Sequence, residues 1–156
     1  MKKIVILGCE NSHADMFLGF MKGNEKYADL QVAGVYSDDK TAAEKLAEKY
    51  GVKVMSAYDE AVGKVDGVIV TARHGNNHYK YAAPYIKTGV PMFIDKPVSI
   101  AETDALKLAR ECKAAGVKLT GGSCFMRIQM CCWMNMVLSR LTRSNMNCLI
   151  SSIFSR

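Results

Sequence analysis

The sequence predicts an α/β fold: a doubly wound, mostly parallel sheet with helices on both faces, forming a single domain with an atypical C-terminal tail. Three observations carry this expectation. Up to about residue 120, short apolar or β-branched runs alternate with stretches of helical spacing, the pattern of successive βαβ units. The first of those runs ends at Gly8, which opens a turn into a helix. The chain has 156 residues, enough to bury one sizeable core.

Taken in order, residues 3–7 form a β-branched strand and residues 12–21 a helix, with Asn11 and Ser12 as good capping residues. Residues 31–36 read as a second strand, and residues 41–50 place Ala, Leu, Glu and Lys at helical spacing. Residues 52–55 are short and strand-like, and 56–62 read as a short helix. A buried apolar strand follows at 67–71, then a helix at 77–87 stopped by Gly89. Residues 91–94 form the next strand, 99–115 a long helix ending at Gly116, and 117–120 begin a sixth strand. Crossovers between such parallel strands are right-handed.

The formal charge of +6 invites a nucleic-acid partner, but its distribution argues against one. All lysines and all acidic residues lie within the first 120 positions, and the excess beyond comes from Arg127, Arg140, Arg143 and Arg156, which are scattered. The chain lacks the roughly 18 consecutive apolar residues of a membrane span. The N-terminal apolar run is only strand-length and lacks a small-residue cleavage site, so it reads as a strand and not as a signal peptide. Six cysteines without a secretory signal point to reduced thiols and a cytoplasmic protein. No metal site is expected. Cys9, His74 and His78 have no compact ligand spacing, and neither do Cys124 and the adjacent Cys131 and Cys132.

Beyond about Arg127 the composition changes. Residues 125–156 contain no Lys, Asp, Glu, Gly or Pro, yet hold the only Trp and half of the methionines and cysteines. One reading is an apolar helical segment packed on the sheet or on a partner, since Phe125, Met130, Trp133, Met134, Val137, Leu138 and Leu141 fall near helical spacing. The preferred reading is a shifted reading frame or a gene fragment with a non-native end. Residues 1–124 are therefore expected to form a nucleotide-binding domain and 125–156 a separate Cys/Met/Ser-rich tail.

The candidate site lies where these strands end. A dinucleotide turn carries G-x-G-x-x-G, whose glycines allow a tight turn and close approach to a pyrophosphate. Here the string is Gly8-Cys9-Glu10-Asn11-Ser12-His13, in which Glu10 replaces the second glycine and would repel a pyrophosphate unless it points away. Asn11 and Ser12 can cap the helix, and His13 offers a proton donor near an anion. After the second strand, Tyr36-Ser37-Asp38-Asp39 offers a carboxylate for a ribose 2′-hydroxyl, with Asp38 or Asp39 also suited to cap the next helix. The loop Thr71-Ala72-Arg73-His74-Gly75-Asn76-Asn77-His78 is polar, and Arg73 with His74 suits a phosphate or carboxylate, while His78 can simply cap a helix. Residues 93–97, Phe-Ile-Asp-Lys-Pro, put Lys96 at the carboxyl end of a strand, where it can hold an anion or exchange a proton with a substrate hydroxyl.

The order of a glycine turn, an acidic second-strand end, Ala-Glu-Lys-Leu-Ala-Glu-Lys-Tyr-Gly-Val at 43–52, a His-containing loop and Asp95-Lys96-Pro97 resembles the Gfo/Idh/MocA oxidoreductase family over residues 2 to about 127. The resemblance implies a Rossmann-like domain that binds NAD or NADP and acts on a sugar or polyol hydroxyl. Asp95-Lys96-Pro97 is similar to the family's Glu-Lys-Pro, which implies Lys96 as the catalytic residue. His78 matches the histidine that opens the helix after the pocket loop, Ser37 falls where the family often has its ribose-binding Asp, and Phe125-Met126-Arg127 resembles an aromatic-plus-arginine stretch. On this reading Gly8, Glu10, Asn11, Ser12, His13, Ser37, Asp38, Ala72, Arg73, His74, His78, Asp95 and Pro97 bind the cofactor. Two departures stand out: Glu10 for a glycine, and Arg73-His74-Gly75 where the family often has Thr-Pro-Asn. The family's second domain, which supplies substrate pocket and oligomer interface, has no counterpart after Arg127. The expected protein is half an enzyme, inactive alone, with homo-oligomer formation left open. The alternatives are a nucleotide- or anion-binding module without catalysis, or a non-functional gene fragment.

Overall fold

The structure is a computed structural model, and it describes residues 1–122. The expectations for the tail, including the helical segment from Phe125 and the Phe125-Met126-Arg127 stretch, lie outside the described residues.

The first strand, β1 (Lys2–Leu7), is apolar on both faces because helices cover both sides of the sheet. It feeds α1 (Ser12–Lys22), capped by Asn11, whose Oδ1 accepts from the His13 backbone N–H at 2.8 Å. A single 3-10 turn at Glu25–Tyr27 leads into β2 (Leu30–Tyr36). Asp39 caps α2 (Lys40–Tyr50), which ends at Gly51 in the left-handed region. The chain then crosses to β3 (Gly67–Val70), α3 (Asn76–Ile86), β4 (Met92–Asp95), α4 (Glu102–Ala114) and β5 (Leu119–Gly122). The strands lie in the order β2-β1-β3-β4-β5 and every pairing is parallel.

Two expectations are corrected. Residues 52–55 are not a strand: only Val54 bridges Val35, so the expected sixth strand is the fifth. Residues 56–62 are a turn and not a helix. The Glu60 carboxylate draws this segment round by accepting from the Ser56 N–H at 2.7 Å and Ser56 Oγ at 2.8 Å, and it pairs with Lys53. Side-chain acceptors of this kind compete with a helix ladder for backbone donors.

Alternation along the strands divides the core into two layers. Ile4, Ile6, Ile69 and Phe93 face α1 and α2, where they meet Phe17, Leu18, Met21, Ala43 and Leu46. Phe17 and Phe93 pack edge to face at 5.2 Å. Val5, Leu7, Val68, Val70, Met92 and Ile94 face α3 and α4 with Tyr81, Tyr85, Ile86, Leu108 and Cys112. Each Val, Leu, Ile, Phe or Met among them, buried fully, contributes about 1.5–3 kcal/mol. Among the described residues no helix is long and apolar enough to cross a membrane.

The chain runs outward from β1 to β2 and then returns to the other side of β1 as β3, so the topological switch lies between β1 and β3. Open α/β sheets bind ligands outside the carboxyl ends of the strands at this point. Gly8 sits there with φ of 80°, and a Cβ on it would lie 2.3 Å from Ala72 Cα. Gly51 has a comparable φ of 68° but nothing within 4 Å. Gly8→Ala should therefore cost about 2–4 kcal/mol, from strain and overpacking together. Gly51→Ala should cost only about 1 kcal/mol. Urea denaturation of the two variants checks the order, and equal losses would refute the close-approach argument.

Candidate functional site

Four polar segments gather at the carboxyl edge of the sheet: the β1–α1 turn, the end of β2, the turn after β3 and the end of β4. The β1–α1 turn is fixed at its start by backbone, since Gly8 N and Cys9 N both donate to the Tyr36 carbonyl, at 2.7 and 3.1 Å. Thr71 Oγ1 donates to the Gly8 carbonyl at 2.9 Å, tying β3 to the same turn.

Beyond Gly8 the turn is held by its side chains. Asn11 Oδ1 caps α1 while Nδ2 donates to the Thr71 carbonyl. Glu10 spans the crevice: Oε2 accepts from Ser37 Oγ at 2.8 Å, and Oε1 accepts from the Arg73 backbone N–H at 2.7 Å. Arg73 Nη2 returns to the Glu10 carbonyl at 2.9 Å. Glu10 thus neither points away nor stands free, because two neighbouring strand ends supply its donors. Ser12 is exposed at the first turn of α1.

His13 turns inward to the end of β4, where its Nδ1 meets Asp95 Oδ2. Asp95 is only 2% exposed, and its other oxygen has no hydrogen-bond partner among the described residues. Lys96 and Pro97 follow directly and are exposed, next in the chain to that buried carboxylate.

At the end of β2, Ser37 is buried and its hydroxyl is shared between Glu10 and the Asp39 N–H. Asp39 is the helix cap, with Oδ1 accepting from Ala42 N at 3.0 Å, which leaves Asp38 for other work. Asp38 accepts from the Tyr36 hydroxyl at 2.7 Å and lies 3.7 Å from the Lys80 ammonium. The Tyr36 hydrogen bond, with lesser help from Tyr81 and Lys80, holds the Asp38 carboxyl below its ordinary range, so it is charged at neutral pH. Burial foremost, then Asp38, pushes Tyr36 up to about 12, so it remains a donor.

The loop after β3 departs from the expected anion clamp. Arg73 turns back to Glu10, while His74 is exposed. His78 does not cap α3, whose N-cap residue is Gly75; its imidazole is fully buried between the carbonyls of Ala72, 2.9 Å from Nε2, and Val98, 3.3 Å from Nδ1. It thereby ties the β3 turn to the segment after Pro97. Sequence spacing missed three links that build the site: Thr71 to Gly8, Arg73 to Glu10, and His13 to Asp95. Each joins residues more than 60 positions apart, and only the parallel register brings them together.

The frame fits a dinucleotide in part. Gly8 lets the β1–α1 turn close on Ala72 at the switch point, and Ser37 and Asp38 put a hydroxyl and a carboxylate at the end of β2. A cleft of about 370 Å³ runs along Glu10, Asn11, Ser12 and Arg73, and another of about 440 Å³ lies along Ser37 and Asp38. The mismatch is the Glu10 carboxylate, which holds donors from both sides.

Two tests follow from this geometry. Removing the hydrogen-bond partner of a buried carboxylate typically costs about 1–3 kcal/mol or more, because the acceptor is left unsatisfied. His13→Ala should approach that loss in urea denaturation, while His13→Ala combined with Asp95→Asn should lose less than His13→Ala alone. A larger loss in the double variant would show that Asp95 does not depend on His13. The Cys9 thiol is buried, and that burial, with the Glu10 charge next, pushes it up to about 12. It should stay unlabelled by N-ethylmaleimide from pH 7 to 9 and react only after denaturant is added, as read by peptide mass mapping.

Comparison with known proteins agrees with this geometry. The GFO_IDH_MocA profile, described as an oxidoreductase family with an NAD-binding Rossmann fold, matches residues 2–123. A comparison with curated protein sequences finds no significant match. Among solved structures, a putative myo-inositol dehydrogenase from Sinorhizobium meliloti superposes with a TM-score of 0.67 at 22% identity, over 78% of this chain and 36% of its own. Biliverdin reductase from Synechocystis, solved with biliverdin and NADP+, gives 0.66 at 16% identity, over 77% and 37%. GenD2 from gentamicin A biosynthesis, solved with NAD, gives 0.66 at 22% identity, over 78% and 34%. At these identities the likeness concerns the fold, and the chain spans little more than a third of the length of each. The profile match covers most of the sequence, and on that ground the chain belongs to the Gfo/Idh/MocA oxidoreductase family, within the part that forms its NAD-binding Rossmann fold.

Proposed function

We propose that residues 1–124 are the cofactor-binding half of a dehydrogenase that oxidises a sugar or polyol hydroxyl with NAD or NADP. The observation that carries this reading is Lys96, exposed at the end of β4 beside buried Asp95, on the same sheet edge as the Gly8 turn and the Ser37–Asp38 pair. When bound, a nicotinamide supplies the hydride acceptor. This chain's own groups do the rest. The β1–α1 turn faces the phosphates, Ser37 and Asp38 take the ribose, and the Lys96 amine orients the substrate hydroxyl and accepts or relays its proton. Asp95 and Pro97 flank that lysine and fix where its amine emerges. His13 and His78 act from behind, through Asp95 and the carbonyls of Ala72 and Val98.

In this reading, specificity and turnover depend on a second domain of the family type. The alternative of an anion-binding module draws less support, because the Arg73 guanidinium already engages the Glu10 carbonyl. The charged Asp38 favours a ribose 2′-hydroxyl over a 2′-phosphate. Calorimetric titration should therefore give micromolar binding of NADH and binding of NADPH weaker by about tenfold or more. Asp38→Ala should narrow that difference, and equal binding by the unaltered chain would remove Asp38 from the ribose site. With NAD and simple polyols the chain should show no turnover. Turnover that disappears in Lys96→Ala would overturn the half-enzyme reading.

A further inference from the structure

Glu10 stands where the dinucleotide turn has its second glycine, yet its carboxylate is not an unsatisfied intruder. Both of its oxygens are bonded, one to the hydroxyl at the end of β2 and the other to the backbone N–H after β3. Those strands flank β1 on either side, so one side chain bridges the whole width of the switch point. The Glu10–Ser37 hydrogen bond joins the wall of one cleft to the wall of the other. The donors it holds are of the kind a ribose oxygen and a phosphate oxygen would need. Arg73 closes the arrangement by binding the Glu10 carbonyl, which keeps a guanidinium occupied that would otherwise face the crevice.

We propose that Glu10 is an internal latch that determines cofactor affinity: its carboxylate holds the Ser37 hydroxyl and the Arg73 N–H, and a dinucleotide binds only when it swings out. The inference rests on the cofactor-binding reading above and adds to it the residue that sets how tightly the crevice takes its ligand. Release of Glu10 does two things at once. It removes a negative charge from the path of the pyrophosphate, and it returns two donors to the crevice: Ser37 Oγ and the Arg73 backbone N–H. A closed latch lowers the apparent affinity by the fraction of molecules in which it stands open. Restoring a glycine therefore strengthens binding without adding any contact.

The test is calorimetric titration of NADH into the unaltered chain, Glu10→Gly and Glu10→Gln, with circular dichroism to verify folding. Glu10→Gly should bind about tenfold tighter or better, and Glu10→Gln should fall between, since it drops the charge but keeps an acceptor for Ser37. The same order should appear in the shift of the urea midpoint on adding NADH, a readout that needs no catalysis. Unchanged or weaker binding by a folded Glu10→Gly would overturn the latch while leaving the cofactor reading intact. Should Glu10→Gly fail to fold, Glu10→Gln decides alone, and affinity no better than that of the unaltered chain would overturn the latch. No NADH binding by any of the three would overturn the cofactor reading and the latch with it.

Discussion

The turn after β1 meets the turn after β3 backbone to backbone, at Gly8 and Ala72, and the crevice is arranged around that contact. No side chain fits between them, since even a methyl group would fall within 2.3 Å of Ala72 Cα. The close approach lets Thr71 reach the Gly8 carbonyl and brings Asn11 to the carbonyl of Thr71. It also fixes the distance over which Glu10 must reach, so that one carboxylate can serve both neighbours of β1. Widening this gap would separate every polar group at the switch point at once.

A glycine-rich phosphate loop leaves its backbone donors free for a ligand. The loop in this chain instead satisfies its neighbours. Three of its side chains each reach a different partner: Glu10 the ends of β2 and β3, Asn11 the carbonyl after β3, and His13 the carboxylate at the end of β4. The strand ends are thereby stitched together by residues that stand in place of glycines or next to them. The resulting site is more ordered from within than a bare loop, and a ligand must compete with internal partners for its donors.

The order of strands and helices was legible because each signal was local: β-branched runs for strands, Asn11 and the Asp38-Asp39 pair at helix starts, Gly89 and Gly116 beyond helix ends. Position 52–55 misled because Val-Lys-Val-Met alternates like a strand, whereas only Val54 finds a partner. Position 56–62 misled because its apolar spacing suits a helix while the Glu60 carboxylate draws it into a turn. At the site, the choice between Asp38 and Asp39 could not be made by counting, and it was decided by which carboxylate caps α2. The Asp-Lys-Pro string was readable as a motif. That His13 would stand behind it was not, because 82 residues separate the imidazole from Asp95 and only the sheet register joins them.

The segment that failed to become a strand has its own consequence. Val35 donates to the Lys53 carbonyl and accepts from the Met55 N–H, and Met55 fills the space left by Gly34 on β2. The outer rim of β2 is thus partly covered by a short stretch that carries an exposed lysine. Bare sheet rims invite pairing with a second chain, and short, charged cover of this kind discourages it. Residues 52–55 act as a guard rail: they spend their hydrogen bonds on closing one side of the sheet to intermolecular growth.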